Sequence, residues 1–184
     1  MNSLDKVKSI IAYLQTTNLE VITDHGLSET EILDAFKNIN LLPPPEIIEL
    51  YQWHNGIGEL DCFLRFMNLD DAIMWYELFR DCYRENNNYY YGGQENWFPM
   101  LNMNGDVQLC LDFKTLSVIS IDIECDIVEE IANHYTNYLD ALLYVFNKES
   151  FEYDDDSGCI KFNEEVWEYA RNLYQIKHPW LQGD

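Results

Sequence analysis

The chain has 184 residues, 47% hydrophobic and 15% aromatic, which is the composition of a globular protein and not of a disordered one. Eleven lysines and arginines stand against 33 aspartates and glutamates, a formal net charge of −22. That balance argues against nucleic acid and anionic membrane surfaces, both of which are bound through basic side chains, and it suits solubility and fast association with a basic protein.

A chain of this size is expected to form one domain, residues 1–184, that buries roughly 70% of its unfolded surface without help from a disulfide or a metal. The five cysteines (Cys62, Cys82, Cys110, Cys125 and Cys159) are odd in number and contain no C-x-x-C pair. That usage reads as reduced and cytoplasmic. The opening "MNSLDKVKSIIAYLQ" lacks the apolar core and cleavage site of a signal peptide, and no apolar run reaches transmembrane length.

Leu4, Val7, Ile11 and Leu14 recur at helical spacing behind Ser3, which predicts a helix over residues 3–15 capped by that serine. Ser28 and Glu31 form a capping-box pattern ahead of Ile32, Phe36 and Ile39, which predicts a second helix over residues 28–39. Pro45 and Glu46 suit the first turn of a third, with Ile47, Leu50, Tyr51 and His54 on one face. Asn55-Gly56 is expected to end that helix in the left-handed conformation. Trp53 and His54 then point about 100° apart and share no face.

"CFLRFM" reads as a short strand, and Asn68 can cap a long helix that carries Ile73, Tyr76, Leu78 and Phe79 to about Glu85. The Asn/Tyr tract over residues 86–96 reads as a loop. The period then becomes two. "WFPMLNM", "VQLCLDF" and "SVISIDI" predict a meander of three antiparallel strands, turning at Asn104-Gly105-Asp106 and near Lys114-Thr115. Pro99 implies an edge or a bulge in the first. Asn133 can cap a helix holding Tyr135, Tyr138, Leu139, Leu142, Leu143 and Phe146. An acidic loop, "EYDDDSG", follows. A last helix over residues 163–176 carries Val166, Trp167, Ala170, Leu173 and Tyr174. Helices, then strands, then helices predict an α+β fold, with several helices packed on an antiparallel sheet.

The sequence nominates no catalytic, cofactor-binding or metal-binding residue. His25, His54, His134 and His178 show no zinc-site spacing. His54, at a helix end, reads as a helix-terminal charge or a packing residue. There is no G-x-S-x-G, no phosphate-binding loop and no G-x-G-x-x-G; Gly56 and Gly58 give only G-x-G after a helix. Glu152, Asp154 and Asp156 alternate like the first ligands of a calcium loop. However, Ser157 stands where that loop needs Gly, and Asn163 where it needs Glu, so the tract reads as a solvated acidic loop. Glu124 and Asp126 read as turn acids. The enzyme reading has no motif behind it.

Four segments in order carry a resemblance. "LLPPPEIIELYQWHNGI" resembles the segment of the SUKH superfamily in which Leu-Pro leads into a helix ending in Asn-Gly. "FLRFMNLDDAIMWY" resembles its strand and next helix, and "WFPMLNMNGDVQLCLDFKTLSVISIDIE" its Trp-x-Pro hairpins. "IANHYTNYLDALLYVF" falls where the superfamily has its closing helix, with Asn133-His134-Tyr135 in place of a Ser-Phe start. The likeness covers about residues 28–147 and leaves residues 151–184 as a helical extension. It marks Pro45, Asn55, Gly56, Trp97, Pro99 and Asp112 as fold-making signature positions.

The superfamily includes bacterial immunity proteins and fungal cell-wall-assembly regulators. The resemblance therefore implies a non-catalytic domain without a cofactor. Its expected partner is a basic toxin domain, such as a nuclease, encoded nearby; the alternative is a regulatory adaptor with no toxin. Expected contacts are acidic or tyrosine-rich: Glu59 and Asp61, Tyr89, Tyr90 and Tyr91, and Asp154, Asp155 and Asp156. Tyrosine offers contact area at low entropy cost. The tyrosine tract could equally fold back onto its own core.

Overall fold

A computed structural model describes residues 1–16, 23–61, 64–86, 95–103, 107–122, 127–154 and 159–177, with backbone only at 59–61, 64, 81–86, 103, 151–154 and 159–161. The elements in order are α1 (Ser3–Gln15), β1 (Thr23–His25), α2 (Glu29–Asn38), α3 (Pro45–Trp53), β2 (His54–Asp61), β3 (Leu64–Phe66), α4 (Leu69–Asn86), β4 (Trp97–Met103), β5 (Val107–Asp112), β6 (Val118–Asp122), β7 (Ile127–Ala132), α5 (Tyr135–Asn147), β8 (Phe151–Asp154), β9 (Cys159–Phe162) and α6 (Glu164–Tyr174). The fold is α+β, as the sequence predicts.

Strands β1 to β7 form one sheet in sequence order, and each neighbouring pair is antiparallel. The three predicted strands are β4, β5 and β6, at the centre of a larger meander. Pro99 lies in β4, between β3 and β5, beside a register shift at Pro99/Leu101, so it marks a bulge and not an edge. The pairs Leu111↔Val118 and Cys110↔Ile119 alternate across the sheet. Leu109, Leu111 and Val118 face a core shared with Ile10, Leu14, Ile47, Leu142 and Phe146 from α1, α3 and α5. Cys110, Ile119 and Ile121 face the other way, against Phe79 and Trp75 of α4. Each fully buried aliphatic or aromatic side chain contributes about 1.5–3 kcal/mol.

Helices α1 and α5 run parallel. Their first turns meet where the Ser3 hydroxyl lies 2.5 Å from that of Tyr135, and their last turns meet where Tyr13 donates to Asn147. Between these, Lys6 Nζ pairs with Asp140 at 2.6 Å. The predicted cap of α1 is corrected: Asn2 caps it, accepting from Asp5 N at 2.7 Å, which leaves Ser3 free to bind Tyr135. The capping box of α2 is as expected, with Ser28 and Glu31 each bonding the other's backbone.

The end of α3 differs from expectation. His54 is extended (φ −147°, ψ 135°) and is already the first residue of β2. Asn55-Gly56 therefore does not stop the helix in a left-handed turn; it lies inside a strand. Because His54 leaves the helical path, the 100° separation from Trp53 is lost, and the two rings pack with centroids 4.4 Å apart. His54 Nδ1 also lies 2.9 Å from the Asp24 carbonyl of β1. The chain just after β1 runs close beside α3: a Cβ on Gly26 would stand 1.9 Å from the Gln52 carbonyl oxygen.

Two later expectations also change. The cap of α5 is His134, whose Nδ1 accepts from Thr136 N at 3.2 Å, while Asn133 accepts from Asn137. The acidic "loop" is in part a hairpin, with Phe151↔Phe162 through Asp154↔Cys159 pairing as β8 and β9. Asn163 caps α6 by accepting from Val166 N at 3.2 Å.

Candidate partner-binding surface

The densest polar cluster is built on Asp112, at the end of β5. Its Oδ1 accepts from Asn96 Nδ2, from Lys114 N at 2.7 Å and from Thr115 N at 3.2 Å, and its Oδ2 accepts from Trp97 Nε1 at 3.2 Å. Burial alone pushes this carboxyl up, but the four donors outweigh it and hold the group below the usual carboxylate range. The Asp112 carbonyl accepts from Leu116 N, and the Asp112 N–H donates to Ser117 O. Both oxygens are occupied by the turn that joins β5 to β6 and by the start of β4. The arrangement locks hairpins together and leaves the carboxylate no role as a free base.

Other chemistry-bearing groups are similarly engaged. Burial pushes the Cys110 thiol well up, which keeps it from forming the thiolate a nucleophile needs. Tyr51 is fully buried at the α3–sheet contact, with its hydroxyl 3.4 Å from the Met67 carbonyl. His54 packs on Trp53 and His134 caps α5. His178 lies outside the described residues. Among the described residues, no group of three or more His, Cys, Asp or Glu is placed to hold a metal ion.

The residues expected to touch a partner are spread over separate elements. Glu59 and Asp61 lie near the end of β2, inside the main sheet. Asp154 ends β8, in the two-stranded sheet. Tyr89, Tyr90, Tyr91, Asp155 and Asp156 lie outside the described residues, as does the predicted turn at Asn104-Gly105-Asp106.

The structure exposes surfaces that the pattern of the sequence did not flag. Strand β7 closes one side of the sheet. Its Ile127 is 54% exposed and is followed by Val128 at 36%. At its far end Lys177 N donates to Ile131 O at 2.7 Å and Lys177 Nζ pairs with Glu129 at 2.8 Å. On α6, Tyr169 and Leu173 are both more than half exposed, and Tyr169 packs at a tilt on Tyr144 of α5, ring centroids 5.6 Å apart. The expected helix carries Val166, Trp167, Ala170, Leu173 and Tyr174 as its apolar residues. The buried stripe of α6 is instead Trp167 and Ala170. The spacing itself held the signal, because Leu173 lies six residues past Trp167, about 120° away around the helix.

Comparison with known proteins settles the class. The family model for the SMI1 / KNR4 family (SUKH-1) matches residues 26–141. The chain belongs to that family. No curated protein matches it. The SUKH-1 span takes in α2 to α4, β2 to β7 and most of α5. Helix α1, strand β1, the β8–β9 hairpin and α6 lie outside it. SUKH-1 domains are generally non-catalytic immunity or regulatory modules, and the family includes proteins that neutralise toxins. Among the described residues, no helix is long and apolar enough to cross a membrane.

Proposed function

We propose that this SUKH-1 protein is a non-catalytic, cytoplasmic immunity protein of bacterial type that binds and neutralises a cognate toxin. The partner surface would be basic, as in a nuclease or another nucleic-acid-processing domain. The observation that carries this reading is family membership joined to a net charge of −22. A strongly acidic surface steers toward a basic cleft at up to about 10⁸–10⁹ M⁻¹s⁻¹ in low salt, and can occlude the groove that holds nucleic acid. Glu59, Asp61, Tyr89, Tyr90, Tyr91 and Asp154 to Asp156 are the contacts we assign. Support for them is chemical: acids for complementarity, tyrosines for rigid contact area.

The test is co-expression with the product of the adjacent gene, followed by low-salt pull-down. The expected result is that the neighbour is toxic alone, harmless with this protein, and retained in a complex that dissociates as salt rises. A harmless neighbour that does not bind would overturn the immunity reading.

A further inference from the structure

Strand β7 is the last of the seven in the main sheet, and among the described residues no strand pairs with its outer side. Such an edge presents a row of backbone N–H and C=O groups that can template another strand. Neighbouring strand residues face opposite ways. The edge is therefore flanked on one face by Ile127 and Glu129, and on the other by Val128 and Glu130. Ile127 and Val128 are exposed although they lie within a paired strand. The chain itself shows what this edge accepts. Lys177, from beyond α6, donates its N–H to the Ile131 carbonyl at 2.7 Å and sets its Nζ 2.8 Å from Glu129. One residue thus combines the backbone bond of an added strand with a basic side chain on a β7 carboxylate. It meets the backbone only at the Ile131 end of the strand.

We propose that the outer edge of β7 takes an extended basic segment of the toxin partner as an added antiparallel strand, in which two basic residues meet Glu130 and Glu129 and the next two, apolar, meet Val128 and Ile127. This deepens the immunity reading above and rests on it. Main-chain bonds supply affinity in such strand addition, and the alternating side chains supply register. Charge complementarity selects the occupant, because opposite charges across a strand pair stabilise it and like charges destabilise it. A second copy is disfavoured: it would join two chains of charge −22, and a second β7 brings no cation to either glutamate. The Lys177 side chain is 63% exposed, so its hold on Glu129 is weak and a partner cation can displace it.

The probe is the peptide acetyl-Lys-Lys-Val-Val-Thr-amide, titrated at low salt into the isotope-labelled full chain while amide NMR shifts and hydrogen exchange are read. Saturable shifts over residues 127–131 are expected, with a Kd of about 1 mM or tighter and slowed exchange of β7 amides. The Glu-Glu-Val-Val-Thr peptide should bind at least about tenfold more weakly. Two forms N-methylated at alternate residues carry the same charge but block opposite edges of the peptide. One should bind, and the other should weaken at least about tenfold. Ile127→Lys with Glu130→Lys alters two exposed side chains and should weaken the peptide by a similar factor. Shifts spread over the acidic surface, or equal binding of the two N-methylated forms, would overturn the strand. So would β7 amides already protected without peptide, whether by residues 178–184 or by a second copy. The N-methylated pair keeps the test decisive even if the double variant folds poorly. Co-expression with the adjacent gene separates the two readings. If wild type neutralises that product and the well-folded double variant binds it equally, the edge falls and the immunity reading stands. If wild type neither binds nor neutralises it, the immunity reading falls, and the peptide titration alone decides whether the edge takes a basic strand.

Discussion

Asn55 in β2 accepts a hydrogen bond from the backbone N–H of Leu69, the first residue of α4, at 2.9 Å. Asn68 caps the same first turn by accepting from Asp71 N at 2.8 Å. The two asparagines thus satisfy two first-turn amides of the same helix, one from a neighbouring strand and one from its own chain end. Gly56 belongs to this contact. Its φ is +95°, and a Cβ there would stand 2.8 Å from Asn68 N. The Asn-Gly pair is a joint between β2 and α4.

The joint predicts two losses of different size. Asn55→Ala removes one cap and is expected to cost about 1–2 kcal/mol. Gly56→Val adds strain at a positive φ to a clash with backbone, and should cost at least about 2 kcal/mol. Urea unfolding of both variants measures this. A Gly56→Val protein as stable as wild type would show that the close approach to Asn68 is not maintained in solution.

Asp112 makes a pH prediction whose sign follows from its donors. Its folded carboxyl titrates below the unfolded value of about 3.9. The ionised form therefore stabilises the fold fully above about pH 4, and that stabilisation is lost as pH falls through the lower folded value. Asp112→Asn should be less stable than wild type at pH 7, with the gap narrowing as pH falls below about 4. Asp112→Ala, which strands the donors of Trp97, Asn96, Lys114 and Thr115, should cost about 2–4 kcal/mol at pH 7. Chemical denaturation across this pH range reads both. A gap that widened on acidification would reverse the assignment.

Lys6 and Asp140 link α1, which lies outside the SUKH-1 match, to α5. The Lys6 side chain is only 11% exposed, so its ammonium is poorly hydrated and depends on this partner. Lys6→Ala should destabilise by more than a surface pair would, beyond about 1 kcal/mol, whereas Lys6→Met keeps the packing of the stem and should cost less. A double-mutant cycle with Asp140→Ala isolates the pair. Coupling near zero would mean the helix is held by Ile10, Ile11 and Leu14 together with the Ser3 and Tyr13 hydrogen bonds to α5.

The helices were legible because their signals are local. Ser28 and Glu31 sit three apart, and the apolar residues of α1 and α5 recur at helical spacing. The strands β4 to β6 were legible for the same reason. What the sequence hid depends on distant partners. β1 is three residues long and exists because His54 and Ile57 pair with it. β2 is rich in Asn, Gly and acids, so it reads as a turn until β1 and β3 flank it. β7 carries Glu129 and Glu130 outward at the side of the sheet and lacks a buried alternation. The candidate contacts were chosen by composition, which marks acids and tyrosines but not their mutual placement. The exposed Tyr169 and Leu173 on α6 emerged only once Trp167 and Ala170 fixed which side of that helix is buried.

The acidic tract is where the proposed function meets a single measurement. Asp154 ends β8, and the next two positions are also aspartates. Charges that meet a partner's field act on encounter more than on residence, because they steer association and are screened by salt. Replacing Asp154, Asp155 and Asp156 together with lysine changes the formal charge from −22 to about −16. The expected outcome is a slower on-rate for the basic partner, with a flatter dependence on ionic strength and a smaller change in off-rate. Stopped-flow association at two salt concentrations distinguishes the cases. An on-rate equal to wild type at low salt would remove the hairpin from the interface and shift attention to Glu59 and Asp61. The parallel variant Tyr169→Ala tests whether the exposed face of α6 contributes; if that face packs on the partner, the off-rate rises while the on-rate holds.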